Sequence, residues 1–138
     1  RFLEGIQHFR QKYEDAATVR AFYQVWVNPL MTANKNHFIG HALTLCGGEN
    51  IFGELPRLTP RIGVEAVLAA DPEVIIAGGM AEDDPGWLDA WRHYSNLTAI
   101  QRGNLFFVPP STLQRPSPRL LDGIELLCRN LETARGRR

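Results

Sequence analysis

The sequence lacks long hydrophobic runs, an excess of charge of either sign and a recognisable catalytic motif. Its longest apolar runs are far shorter than the roughly 20 residues that a membrane-spanning helix needs. Fifteen basic and fifteen acidic side chains give a formal net charge of zero, so we expect no nucleic-acid partner. The 138 residues, 44% of them apolar, suffice for one globular domain with a single core.

No segment has the pattern of a nucleophile elbow, a Walker A loop or a dinucleotide-binding fingerprint. We therefore expect a binding protein and not an enzyme, with no catalytic residue and no cofactor. His37 and His41 are spaced i, i+4, which would place two imidazoles on one helix face, as metal sites require. No Glu lies between them in the zincin pattern, so we favour an ordinary helix surface and no metal. A chelatase-like enzyme that uses the two histidines is the alternative.

The sequence has only two cysteines, and each lies on the apolar stripe of its own predicted helix. Cys46 and Cys128 are either two buried free thiols or the two halves of a disulfide. A disulfide would close a loop of 82 residues (128 − 46), worth roughly 4–5 kcal/mol in the chain-entropy model. It would also indicate an oxidising compartment. The residues alone leave both possibilities open.

The segment RIGVEAVLAADPEVIIAGG, residues 61–79, is the most informative part of the chain. It predicts a helix over 64–70, an Asp-Pro stop, a buried strand over 73–77, and a turn with positive φ at Gly78-Gly79. Further strands are predicted over 19–27 and 105–108, and further helices over 1–15, 37–46, 84–94 and 117–134. This order predicts the α/β class, with a small parallel sheet flanked by helices. The basic end, ARGRR, is expected to be solvated.

Ligands of parallel α/β sheets bind at the carboxyl ends of the strands. The predicted strand ends would bring the loops 26–36, 78–87 and 109–116 to one edge of the sheet. Trp26, Met31, Trp87 and Arg115 lie on or beside these loops. Aromatic and thioether groups suit a large, flat, partly apolar ligand, and a guanidinium suits an amide or carboxylate. The alternative is that Trp26 belongs to the core and the others are scattered surface residues.

Four segments resemble the C-terminal lobe of the periplasmic cobalamin-binding proteins of ABC importers, within the wider class that binds iron-siderophores and haem. They are NPLMT (28–32), LCGGENIF (45–52), VEAVLAADPEVIIAGG (64–79) and RPSPRLLDGIELLC (115–128). With the spacing between them, these segments cover almost all of residues 19–131. Proteins of this family have two α/β lobes joined by one long helix, and they hold the ligand between the lobes.

The resemblance implies that residues 1–17 are the end of the connecting helix and that residues 18–138 are the C-terminal lobe. It implies a periplasmic location, with a signal peptide outside this sequence, and an ABC importer membrane permease as partner. The implied ligand is cobalamin or a related corrinoid, with an iron-siderophore or haem as the alternative. An isolated lobe would expose the apolar stripe of its first helix, formed by Phe2, Ile6 and Phe9, and would self-associate.

Individual roles also follow from the resemblance. Cys46 and Cys128 fall where the family has a disulfide, and Glu65 falls where a lobe-tip glutamate pairs with permease arginines. From the first turn of its helix alone, the sequence favours a simpler role for Glu65, as a charge that complements the helix macrodipole.

The residues that would line the ligand cleft are Trp26, Met31, Thr59, Ser111 and Arg115. Arg115 falls at an arginine that lines the family's cleft. The family has an aromatic residue in place of Met31, a tryptophan in place of Thr59 and an acid in place of Ser111. Trp26 has no aromatic counterpart there, and we expect it to compensate for the lost aromatic surface.

Overall fold

The computed structural model describes residues 2–26, 29–78, 90–108 and 120–138. Its helices are α1 (Phe2–Tyr13), α2 (Phe38–Leu45), α3 (Val64–Ala70), α4 (Thr98–Gln101) and α5 (Leu120–Gly136), with a 3₁₀ turn at Ala90–His93. Its strands are β1 (Val19–Trp26), β2 (Met31–Thr32), β3 (Gly48–Asn50), β4 (Val74–Ala77) and β5 (Leu105–Phe107). None of the helices in these ranges is long and apolar enough to cross a membrane.

The strands form one sheet in the order β2-β1-β4-β5, with β3 also pairing with β1. The three strands predicted from the sequence, β1, β4 and β5, lie side by side and parallel. The short β2 runs antiparallel to the end of β1, while β3 runs parallel to its beginning. The predicted α/β class is confirmed, but the sheet is not purely parallel because of β2.

Both faces of the sheet are covered, as the unbroken apolar run of β4 predicts. Val74 and Ile76 pack into one core cluster with α1, α2 and α5. Ile75 and Ala77 point to the opposite face, where they pack into a second cluster with Val67 of α3. The chain therefore forms three layers, with helices on each side of the sheet.

The predicted bounds of α3 agree with the structure because a sharp local signal ends the helix. Asp71 adopts a left-handed conformation with φ of 49° just after Ala70. Its carboxylate accepts hydrogen bonds from the backbone N–H (2.8 Å) and the hydroxyl (2.7 Å) of Thr98, which begins α4. A single aspartate thus ends one helix and satisfies a free donor at the start of another.

The turn predicted at Gly78 is explained by a close approach. Gly78 is not among the described residues with positive φ, so that part of the prediction was wrong. A Cβ atom at this position would lie 2.3 Å from the hydroxyl oxygen of Tyr23, which leaves room only for glycine. Gly79 lies outside the described residues.

Cys46 and Cys128 form a disulfide with an Sγ–Sγ distance of 2.03 Å, as the family resemblance predicted. Cys46 follows the last residue of α2, and Cys128 lies within α5. Both side chains are fully buried in the core cluster on this face of the sheet. The bond joins two helices that are distant in sequence.

The basic end of the chain makes specific contacts with the domain that the sequence did not predict, although its last three residues are exposed, as expected. Arg135 donates hydrogen bonds to the backbone carbonyls of Ala17 (2.6 Å) and Cys46 (2.7 Å). Arg138 forms an ion pair with Glu73, with an Nε–Oε2 distance of 2.5 Å. These contacts cross-link the end of α5 to the amino-terminal end of the sheet, opposite the predicted ligand edge.

The apolar stripe of α1 packs onto the lobe itself. Phe9 is buried in the core cluster and Ile6 packs against it. The side chain of Phe2 lies outside the part that the structure describes. The expectation that this stripe is exposed was therefore wrong for Phe9, while Ile6 is half-buried and self-association stays a prediction.

Candidate ligand-binding site

A depression of about 250 Å³ lies where β1 ends, at the carboxyl edge of the parallel strands. The side chains of Trp26, Met31, His37 and Thr59 line it, together with those of Val25 and Ile39. Trp26 is 36% exposed and is not a core residue. Three of the five predicted ligand-binding residues are thus brought together, although they are up to 33 positions apart (59 − 26).

Thr59 reaches this site because its segment extends the edge of the sheet. The backbone N–H of Thr32 donates to the carbonyl of Pro60 (3.1 Å), and that of Ile62 donates to the carbonyl of Leu30 (3.1 Å). Met31 also forms an isolated antiparallel bridge with Arg61. Residues 58–62 therefore run alongside β2 and hold Thr59 beside Met31.

A second depression, of about 870 Å³, adjoins the first because Met31 and Thr59 line both. Its other lining residues lie within 55–61 and include the two cations Arg57 and Arg61. Neither depression has a carboxylate among the described residues that line it. The combined surface thus offers apolar area and hydrogen-bond donors, which suit a ligand rich in carbonyl or carboxylate oxygens.

His37 also lines the depression, although its sequence position favoured an ordinary helix surface. It is the N-cap of α2, and its Nδ1 accepts a hydrogen bond from the backbone N–H of Ile39 (3.1 Å). Burial lowers the pKa of His37, and the nearby His41 lowers it further, so the neutral ring is favoured. The signal was available in part, since His37 directly follows the loop 26–36 that was placed on the ligand edge.

The turn before His37 packs tightly against α2. The side-chain Oδ1 of Asn34 accepts hydrogen bonds from the backbone N–H groups of Asn36 (2.9 Å) and His37 (3.2 Å). A Cβ atom on Gly40 would lie 2.1 Å from the carbonyl oxygen of Asn34, so glycine permits this close approach. The histidine is therefore fixed in place by the turn on one side and by the helix on the other.

A buried polar pair supports the end of β1 from behind. Gln24, which is 2% exposed, accepts a hydrogen bond from the indole Nε1 of Trp91 at 2.7 Å. Trp91 packs edge-on against Phe22 on the face opposite the disulfide. Trp91 is therefore a core residue, and its hydrogen bond supports the strand that carries Trp26.

The remaining predicted residues divide into two groups. Ser111 and Arg115, like Trp87, lie outside the described residues. Glu65 is exposed in the first turn of α3, shortly after the segment that carries Thr59.

The two histidines weighed as metal ligands line different depressions, which does not favour a shared metal site. His41 is exposed beside a separate hollow of about 330 Å³, lined also by Arg10 and by apolar side chains of α1, α2 and α5. Within the described ranges, no group of three or more His, Cys, Asp or Glu side chains is arranged to hold a metal ion.

Comparison with known proteins supports the resemblance seen in the sequence. No family model matches the chain. A vitamin B12-binding protein of Vibrio cholerae is 32% identical over 133 residues, which are 96% of this chain and 48% of that protein. The crystal structure of the periplasmic vitamin B12-binding protein BtuF of Vibrio cholerae superposes with a TM-score of 0.85 and 30% identity, covering 97% of this chain and 52% of that one. The chain is similar to one half of a vitamin B12-binding protein.

A solved structure with lower sequence identity has the same fold. The periplasmic haem-binding protein BhuT, solved with two haems, has a TM-score of 0.76 at 19% identity over 96% of this chain and 53% of its own. At that identity the likeness shows the fold alone. The chain spans about half the length of the vitamin B12-binding proteins that it matches, as expected for one lobe of two.

Proposed function

We propose that the chain is the C-terminal half of a periplasmic substrate-binding protein of an ABC importer, and that its ligand is cobalamin or a related corrinoid. Residues 1–17 would be the end of the helix between the lobes, and residues 18–138 the lobe itself. The observation that carries the proposal is the depression lined by Trp26, Met31 and Thr59 at the carboxyl edge of the parallel strands. It lies where a second lobe would close a cleft.

The chemistry of this surface fits capture without any covalent step. Trp26 and Met31 offer aromatic and thioether area to a flat macrocycle. Thr59, with Arg57 and Arg61 at the rim, offers donors to the amide or carboxylate groups at its edge. The sheet and the 3₁₀ turn behind Trp26 preorganise this surface, so binding should cost little conformational entropy.

Delivery to the membrane permease is the second part of the proposal. Glu65 is exposed beside the segment that forms the cleft wall, so it would approach the permease with the ligand. An exposed charge at this position would steer and orient the loaded protein. The disulfide between Cys46 and Cys128 supports a periplasmic location, because such bonds persist in oxidising compartments.

An iron-siderophore or haem is the alternative ligand, and the cations Arg57 and Arg61 would also suit the propionates of haem or the oxygens of an anionic siderophore. Calorimetric titration of the full-length protein with cyanocobalamin, haemin and ferrichrome separates the possibilities. We expect cyanocobalamin to bind with one site per protein and the other two to bind at least tenfold more weakly. If haemin or ferrichrome binds more tightly than cyanocobalamin, that chelate and not a corrinoid is the ligand.

A further inference from the structure

His37 has two ring nitrogens, and within the described part of the chain only Nδ1 forms a hydrogen bond. Nδ1 accepts the hydrogen bond from the Ile39 N–H, so the ring proton is on Nε2 in the neutral form. No described residue accepts a hydrogen bond from Nε2. The ring stacks on Phe38, with centroids 4.8 Å apart and planes inclined by 28°, which fixes its orientation. A fixed donor is thus present on a surface that Trp26, Met31 and Thr59 also line.

We propose that His37 is a ligand-orienting residue, whose Nε2–H donates a hydrogen bond to a carbonyl oxygen of an amide or carboxylate side group of the bound ligand. This inference rests on the proposed function, because it assigns the residue to the same cleft. It adds a polar contact to a site whose described lining is otherwise largely apolar.

The same hydrogen bond argues against His37 as an axial ligand of the chelated metal ion. Coordination through Nε2 would require the proton to move to Nδ1. The ring would then lose its bond from the Ile39 N–H and the cap of α2 with it. Donation from Nε2 leaves the hydrogen bond between the Ile39 N–H and Nδ1 intact, and it also provides a donor for the ligand's carbonyl oxygen.

Two substitutions of His37 separate the cap from the donor. In H37N the short amide takes the place of Nδ1 and keeps the cap, but the Nε2–H is lost. In H37Q the longer amide places an N–H donor near the position of Nε2, but it caps a helix poorly. We expect H37N to bind cyanocobalamin about three- to tenfold more weakly with an unchanged urea midpoint. H37Q should bind within about twofold of the wild type with a lowered midpoint.

The matched controls are H41N and H41Q in the same full-length protein, because His41 is exposed on the same helix and lines a different depression. Both controls should leave the affinity unchanged. Wild-type affinity in H37N, or an equal loss of affinity in H37N and H37Q, would overturn the donor role. If the wild-type protein itself fails to bind cyanocobalamin, the proposed function fails first, and the two failures are thereby distinguished.

Absorption spectra with aquacobalamin test the axial alternative directly. The exchangeable water on cobalt is replaced when an imidazole coordinates, and the visible bands then shift. We expect the spectrum on binding to be the same for the wild type and H37N. A shift that is present in the wild type and absent in H37N would show coordination and would overturn the hydrogen-bond role.

Discussion

The disulfide between Cys46 and Cys128 joins the end of α2 to the middle of α5 on one face of the sheet. His37 is the N-cap of α2, so the bond restrains the far end of the helix that this residue caps. Both sulfurs are buried, which shields the bond from exchange with external thiols. The helix that His37 caps is therefore held covalently to α5.

Replacing both cysteines by alanine should lower the free energy of unfolding by about 2–5 kcal/mol, because the unfolded chain is no longer cross-linked over 82 residues. Urea denaturation of the oxidised wild type, the reduced wild type and the double variant measures this loss. The reduced wild type should be close to the double variant. A loss of less than about 1 kcal/mol would mean that the bond contributes little to the fold.

Replacing Thr59 by tryptophan should strengthen ligand binding. Thr59 is exposed between the two adjoining depressions, so a larger side chain has room to lie against the ligand. Aromatic stacking of about 0.5–1.5 kcal/mol corresponds to roughly a two- to twelvefold lower Kd for cyanocobalamin. Calorimetry on the full-length protein measures it, with exposed Thr133 on α5 replaced by tryptophan as the control. Equal effects of the two substitutions on the Kd would show that residue 59 does not contact the ligand.

Glu65 should act in docking and not in ligand capture. Replacing it by lysine reverses the charge at this exposed position, so the rate of association with the permease should fall by about tenfold at low salt, with ligand affinity unchanged. Surface plasmon resonance with permease in nanodiscs measures the rate. Glu49 on β3, beside the start of β1, provides the control substitution to lysine. A loss of equal size for both variants would indicate a general charge effect.

The ion pair of Glu73 should make stability depend on pH. The side-chain hydrogen bond from Arg138 is the main cause that lowers the pKa of Glu73. Partial burial opposes it, but the positive charges of Arg138 and Arg102 lower the pKa further, as does a backbone hydrogen bond from Arg20. Because the folded-state pKa lies below that of the unfolded chain, the native state binds fewer protons. The stabilisation is therefore fully present above the unfolded value of about 4.3 and is lost as pH falls through the folded pKa.

Urea midpoints between pH 3 and pH 7 test this for the wild type and the Glu73→Gln variant. The difference between them should be largest above about pH 5 and should shrink toward pH 3. Glu125→Gln is the matched control, because Glu125 pairs with Arg129 on the surface of α5, where both side chains are more than half exposed. A constant difference across the pH range would mean that the ionisation of Glu73 does not stabilise the fold.

Local signals explain which parts of this structure the sequence could predict. The helix α3 ends at an Asp-Pro pair and β4 is an unbroken apolar run, so both were predicted almost to the residue. The strands β2 and β3 were missed because they have two and three residues and exist only through pairing with β1. Their pairing with β1 depends on the tertiary fold, so no local sequence pattern predicts it.

In the candidate site too, local signals predicted some residues, while others depend on long-range contacts. Trp26 and Met31 were placed on the ligand edge by the position of their strand and loop. Thr59 was predicted only through the family resemblance, since its place depends on long-range pairing of residues 58–62 with the edge strand. His37 was missed because histidine is an uncommon N-cap, and Arg135 because its carbonyl partners lie about 90 and 120 positions away.

A crystal structure of the full-length protein with cyanocobalamin tests the central claim most directly. The account predicts that the corrin ring lies between two lobes and contacts Trp26, Met31 and Thr59, with an amide oxygen of the ligand within hydrogen-bond distance of His37 Nε2. A ligand bound elsewhere, with these four side chains facing solvent, would contradict it.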